Sequence, residues 1–137
     1  MKRKTVFDVN VWISYFISNK ANLIMSMVDN NGVYLYCSNE LMTELRDVIN
    51  REKFAKYFPE GTEKYLLFCE LITELYPTIP LFSDCPDPDD NYLFDLAYQA
   101  NTEFLVSGDK KVLNTPVRKS LKLRNLADFK HEISTEI

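Results

Sequence analysis

One histidine, three cysteines and three glycines are all this 137-residue chain holds of those residue types, and each scarcity removes a class of chemistry. His131 is the single histidine, so a multi-histidine zinc site is excluded. A histidine base would have one candidate, and its place near the chain end reads as a surface position. Cys37, Cys69 and Cys85 are odd in number and widely spaced, with no CxxC among them. That excludes a zinc knuckle or a redox pair and leaves reduced thiols, with Cys69 in the core. Few glycines, six prolines and 46% hydrophobic residues, with no low-complexity tract, exclude a disordered chain. No apolar run approaches the ~18 residues that a membrane span needs. The N-terminus is basic and then apolar, but Asp8 interrupts it too soon for a signal peptide. A cytoplasmic protein without membrane contact is expected, and the length fits one domain over 1–137.

The chain also lacks a positive balance. Its net charge is −4, whereas nucleic-acid binders are more often basic. A cluster of carboxylates lowers net charge, however, and a bound cation restores it. The positive charges are grouped: Arg46, Arg51, Lys53 and Lys56 in one stretch, and Lys110, Lys111, Arg118, Lys119, Lys122 and Arg124 in another. Each group reads either as a solvated face or as a phosphate-contacting rim.

What is present is an alternation of apolar patterns. Residues 4–8 read as a strand ending in Asp8, and 11–17 as a helical turn or two. Residues 21–29 carry a helical stripe of Leu23, Ile24, Met27 and Val28, closed by Asn30-Asn31-Gly32. Val33–Cys37 has strand propensity. Ser38 or Asn39 can cap a helix to about Ile49, with a shorter helix over 52–57. Thr62 can cap a long helix to about Tyr76 with Leu75 facing inward, and Pro77 and Pro80 stop it. Residues 87–100 read as a helix, 104–107 and 121–124 as strands, and a short helix starts at Asn125. Alternating strands and helices at crossover spacing predict an α/β fold, a three-layer α/β/α sandwich on a central parallel sheet of four to five strands.

In such sheets ligands bind beyond the carboxyl ends of the strands, so acids at strand ends matter most. Asp8 follows Val6-Phe7, and Asp109 leaves the sheet after Phe104-Leu105-Val106-Ser107-Gly108. A turn-forming Asp is the plain alternative for each. Glu44 borders the stripe of its helix near the helix start, where a surface Glu is also favourable. Asp87, Pro88 and Asp90 fit the N-cap, first and third positions of a helix, so a capping box explains Asp87 and Asp90. It does not explain why Asp90 lies over the stripe of Leu93, Phe94 and Ala97. Asp95 falls on another face and reads as solvated. Four acids from four elements would repel one another and raise some pKa values. A hard divalent cation, Mg²⁺ or Mn²⁺, resolves the repulsion when no His or Cys is at hand. Ions held this way commonly clamp phosphate oxygens and lower the pKa of a bound water.

Phe7-Asp8-Val9-Asn10-Val11-Trp12, Ser38-x-x-Leu41-x-x-Glu44-Leu45, Cys85-Pro86-Asp87-Pro88-Asp89-Asp90-Asn91 and Val106-Ser107-Gly108-Asp109 resemble, in this order, the motifs of the PIN domain (PilT N-terminal) family. The resemblance covers about residues 4–130 and looks closest to the toxins of toxin–antitoxin systems. It implies a Mg²⁺- or Mn²⁺-dependent ribonuclease site. The implied acids are Asp8, Glu44, Asp90 and Asp109, with Asn10 and Ser107 supporting them. Val9 stands where the family commonly has Thr or Ser. Asp89 is the alternative to Asp90, which is preferred for its spacing to Leu93 and Ala97. The expected activity is endonucleolytic cleavage of single-stranded RNA, with an antitoxin protein as partner and a homodimer as the family's state. A catalytically weak PIN-fold module that binds RNA or an antitoxin is the alternative. An aspartyl phosphatase would need an acid two residues after Asp8, where this chain has Asn10.

Overall fold

A computed structural model describes residues 2–135. Met1, Glu136 and Ile137 of the expected 1–137 domain lie outside the described residues. The first strand, β1 (Arg3–Phe7), is followed by α1 (Val9–Ile17) and α2 (Ala21–Asn30). Gly32 turns the chain with φ of 68°, a conformation that glycine adopts without strain, and leads into β2 (Val33–Cys37). Next come α3 (Asn39–Ile49), a 3₁₀ turn over Glu52–Tyr57, α4 (Glu63–Ile72) and β3 (Thr73–Leu75). An extended strap then leads to a second 3₁₀ turn at Pro88–Asp90 and to α5 (Asn91–Gln99). The chain ends with β4 (Phe104–Val106), α6 (Lys110–Leu113), β5 (Lys122–Arg124) and α7 (Leu126–Thr135).

The five strands form one parallel sheet in the order β3-β2-β1-β4-β5. The order reverses at β1, whose neighbours are β2 and β4. Right-handed crossovers therefore put α1–α4 on one face and α5 and α6 on the other. Side chains alternate between faces along a strand. Phe7 meets Trp12 of α1 at 5.5 Å and Phe129 of α7 at 5.9 Å between ring centroids, so α7 lies on the α1 face. Phe7, Trp12 and Phe129 are fully buried. The α/β/α sandwich expected from the sequence is the fold observed.

Three local expectations change. The helix from Thr62 stops at Ile72, four residues early. The Thr73 hydroxyl donates to the Cys69 carbonyl at 2.7 Å and the backbone turns extended there. Thr73–Leu75 then pairs with Leu35–Cys37, and the Tyr76 N–H extends the ladder to the Cys37 carbonyl at 2.8 Å. Leu75 is consequently 57% exposed rather than inward. The segment 87–100 splits into a 3₁₀ turn and α5. Asp87 caps it through the Asp89 N–H at 3.0 Å, whereas Asp90 makes no side-chain capping bond.

The third change concerns Asp95, which is buried rather than solvated. One carboxylate oxygen accepts the N–H groups of Leu81 at 2.9 Å and Phe82 at 2.7 Å. Asn91 accepts from the Cys85 N–H at 3.0 Å, and Gln99 brackets Ile79 through both its N–H and its carbonyl. Asn91, Asp95 and Gln99 are four residues apart, so they form one stripe along α5. This polar stripe holds the backbone of the strap that delivers Asp90. Asp95→Ala is expected to lower unfolding free energy by about 3 kcal/mol, since it orphans two N–H groups bonded to a charge. Urea unfolding and faster amide exchange at Leu81 and Phe82 would report it, and unchanged protection at both would refute it.

Candidate functional site

The site lies at the crevice beside β1 where the strand order reverses, beyond the carboxyl ends of the strands. β1 ends at Phe7, and the next residue, Asp8, caps α1 by accepting the Val9 N–H at 2.7 Å. β4 ends at Val106, whose carbonyl accepts the Asp8 N–H at 2.9 Å. The two strand ends are then laced through side chains. Ser107, fully buried, donates its hydroxyl to Asp8 Oδ2 at 2.7 Å and accepts the Asp109 N–H at 3.0 Å. The Asn10 amide donates to Asp8 Oδ2 at 3.2 Å, and Asn10 Oδ1 accepts the Gly108 N–H at 3.0 Å. Asn10 and Ser107, expected as supporting residues, thus fix the position of the first acid.

Asp8, Glu44, Asp90 and Asp109 line one cleft of about 470 Å³. Ser38 at the end of β2 caps α3 through the Leu41 N–H at 3.2 Å, and that start places Glu44 on the helix wall. Asp90 arrives from the 3₁₀ turn ahead of α5, half-buried, while Asp89 is exposed. Asp109 caps α6 with one oxygen, accepting the Lys111 N–H at 2.9 Å.

Electrostatics ties these acids together. Burial raises the pKa of Asp8, the bonds from Ser107, Val9 and Asn10 oppose the rise, and the charge of Asp109 adds to it. Burial, then the charges of Asp8, Asp87, Asp109 and Asp89, push Asp90 up to about 6. Tyr92, a residue that the sequence reading did not single out, lines the same cleft. Its phenol is raised by burial and then by Asp8, Glu44 and Asp90. Two carboxylates whose pKa values are raised by burial and by neighbouring acids fit a cation-binding site. Among the described residues, no three Asp, Glu, His or Cys side chains stand close enough to share one ion directly.

The expected basic clusters separate. Arg51 and Lys53 line the acid cleft. Arg46 pairs with Glu63 at 3.2 Å, and Lys122 and Arg124 pair with Glu132 at 3.7 and 2.9 Å. His131 is exposed, and the three cysteines are free and buried, Cys69 fully. A larger groove of about 600 Å³, between the strap and the segment ahead of β5, is lined by Leu81, Phe82, Tyr98 and Val117 and shares no residue with the acid cleft. Among the described residues, no helix is long and apolar enough to cross a membrane.

The sequence pattern of the PIN domain matches residues 4–111. No curated protein matches the chain in sequence. Among solved structures, the chain is similar to a chain of VapBC2 from Rickettsia felis, crystallised bound to a DNA fragment from their promoter. The TM-score is 0.57 at 16% identity, covering 89% of this chain and 98% of that one. It is also similar to PAE2754 from Pyrobaculum aerophilum, with a TM-score of 0.54 at 12% identity, covering 97% of this chain and 90% of the other. At these identities the likeness is one of fold.

Proposed function

The chain belongs to the PIN domain family, and from that premise we propose that it is a Mg²⁺- or Mn²⁺-dependent endoribonuclease that cleaves single-stranded RNA as the toxin of a toxin–antitoxin pair. The observation that carries this reading is the convergence of Asp8, Glu44, Asp90 and Asp109 on one cleft. Members of the family are generally nucleases, which supports hydrolysis of a phosphodiester. The antitoxin partner, the homodimer, the cytoplasmic location and the single-domain organisation belong to the same proposal. The likeness to a VapBC2 chain supports it through the fold alone.

In this reading Asp8, Asp90 and Asp109 hold the divalent ion, directly or through water, and Glu44 completes the set. When bound, the ion supplies charge stabilisation at the phosphate oxygens and a lower pKa for water. Alternatively Glu44 would orient the attacking water, whose oxygen bonds to phosphorus as the P–O bond to the leaving ribose breaks, the proton lost by the water passing to solvent and the leaving ribose oxygen taking one from solvent. Ser107 and Asn10 hold Asp8 through its Oδ2, and the Val9 N–H holds its Oδ1. Asp109 spends one oxygen on the Lys111 N–H, which fixes its remaining oxygen in direction.

The test is a panel of single-stranded, structured and double-stranded RNA and DNA, each with Mg²⁺, Mn²⁺ or EDTA. Single-stranded RNA is expected to be cut with either ion and spared in EDTA. No cutting of any probe with either ion, or undiminished cutting in EDTA, would overturn the proposal. Ser107→Ala is expected to slow cleavage by about 10- to 100-fold, as loss of a residue that orients a ligand does. Ser107 makes the largest contribution that lowers the Asp8 pKa, so the acidic limb of the pH–rate profile should also move to higher pH. A uniform loss with an unmoved profile would count against this role.

A further inference from the structure

The acid set borders two basins, and only one of them carries cations. Glu44, Asp90 and Tyr92 are shared between them. One basin adds Glu40 and Asp89, and no lysine or arginine among the described residues lines it. The other runs along α3 and adds Arg51, Lys53 and Phe54. Glu44 and Val48 are spaced i and i+4, so they share one face of α3, and Arg51 follows two residues past the end of that helix with an extended backbone. From Glu44 to the last residue of α3, Ile49, the axis rises about 7.5 Å, and Arg51 stands beyond that end. That puts Arg51 beyond a phosphate reacting at the acids and within reach of its neighbours. The turn that follows is fixed by backbone bonds from the Arg51 N–H to the Val48 carbonyl and from the Phe54 N–H to the Arg51 carbonyl, at 3.1 and 2.9 Å. Arg51 meets Asp47 at 3.4 Å in an exposed pair, which holds a guanidinium only weakly. The Lys53 ammonium lies 5.0 Å from the centroid of the half-buried Phe54 ring.

Resting on the nuclease reading above, we propose that Arg51, Lys53 and Phe54 form the wall that holds the substrate strand, Arg51 and Lys53 taking phosphates beside the one cut and Phe54 stacking an unpaired base. A polyanion approaching a protein of net charge −4 meets cations only along the Arg51–Lys53 side of the acid cleft, since the neighbouring basin offers carboxylates alone as charged groups. Two cations alone would accept a duplex equally well. An aromatic face beside them favours a strand whose bases are free to stack.

The experiment measures binding apart from cleavage. A labelled single-stranded RNA of about 12 nucleotides, within the span such grooves cover, is titrated with protein in Ca²⁺, and a gel verifies that it stays intact. Arg51→Gln/Lys53→Gln is expected to weaken binding about tenfold and to flatten the plot of log Kd against log salt by about 1.4, two phosphate contacts at about 0.7 each. Phe54→Ala is expected to weaken binding about tenfold at unchanged slope and to erase the preference over a duplex of the same sequence. Phe54→Tyr keeps a flat ring and should bind as the wild type does. Phe54→Leu keeps apolar bulk without that ring, so it should behave as Phe54→Ala and separates stacking from packing. An unaltered Kd and slope in the double variant, full binding by Phe54→Leu, or no binding by the wild type overturns the proposal. A wild type that binds in this pattern yet cleaves nothing with any metal would sink the nuclease reading and leave the wall standing.

Discussion

Asp8→Asn is expected to reduce metal-dependent cleavage by about 10³-fold or more, comparable to removing a preorganised group that stabilises transition-state charge, without loosening the fold. The two halves of this expectation have one cause. The Asp8 carboxylate is buried beyond the end of β1, and its pKa is raised chiefly by that burial. Its charge is therefore unfavourable to the folded state in the absence of a cation. An amide keeps the shape and an oxygen that can accept from Ser107 or Val9, and it sheds the charge. Melting temperature should hold or rise while activity and divalent affinity collapse. Asp90→Asn should follow the same pattern. Asp89→Asn should stay close to wild type, since Asp89 is exposed outside the acid cleft. Full cleavage by both Asp8→Asn and Asp90→Asn would show that the acid set has been misassigned.

The second large effect is a divalent-ion stabilisation that depends on pH. Asp8 and Asp90 both have folded pKa values above the ordinary carboxylate range near 4, that of Asp90 about 6. A group raised in this way contributes stability that is fully present below its unfolded pKa and is lost as pH rises through the folded value. For Asp90 the metal-free protein should therefore lose this contribution between about pH 4 and about pH 6, and Asp8 acts in the same direction. Glu132 acts in the opposite sense, because the bond from Arg124 lowers its pKa, and its contribution is lost as pH falls. The difference between wild type and Asp90→Asn isolates the site's share. At pH 7.5, Mg²⁺ or Mn²⁺ at 100 times its dissociation constant should add about 2.7 kcal/mol, a rise of roughly 10 °C in Tm for a chain of this size. At pH 5 protons hold the same oxygens and the rise should shrink. A Tm indifferent to both ions at pH 7.5, or an equal rise at the two pH values, would contradict the site as described.

The strand-end acids were readable because the signal is local. An apolar run that stops at Asp8, or at Ser107-Gly108-Asp109, marks a rim whatever the rest of the chain does. The parallel α/β/α sandwich followed from the same alternation. β3 was not readable, since Thr73–Leu75 continues the helical apolar spacing of α4 and only pairing with β2 makes it a strand. Asp95 was misread because periodicity reports distance from the apolar stripe and says nothing of a strap laid across the polar one. The placement of Tyr92, Arg51 and Lys53 in the acid cleft depends on where α3 and α5 meet, which is a long-range result. The basic clusters looked uniform in sequence. Glu63, Glu103 and Glu132 engage Arg46, Lys122 and Arg124, whereas Arg51, in an exposed pair with Asp47, and Lys53 line the cleft.

The hydrogen bond from Ser107 to Asp8 joins residues 99 positions apart. Closing so long a loop is slow and is rewarded only when β1 and β4 pair. A ribosome making this chain therefore releases Asp8 and Glu44 long before the partner that locks the first of them, and Asp90 shortly before it. Until β4 and the residues after it emerge, the nascent chain carries scattered acids and no assembled cleft. Interrupted translation yields fragments without the site, and the finished molecule gains it in a late step of folding.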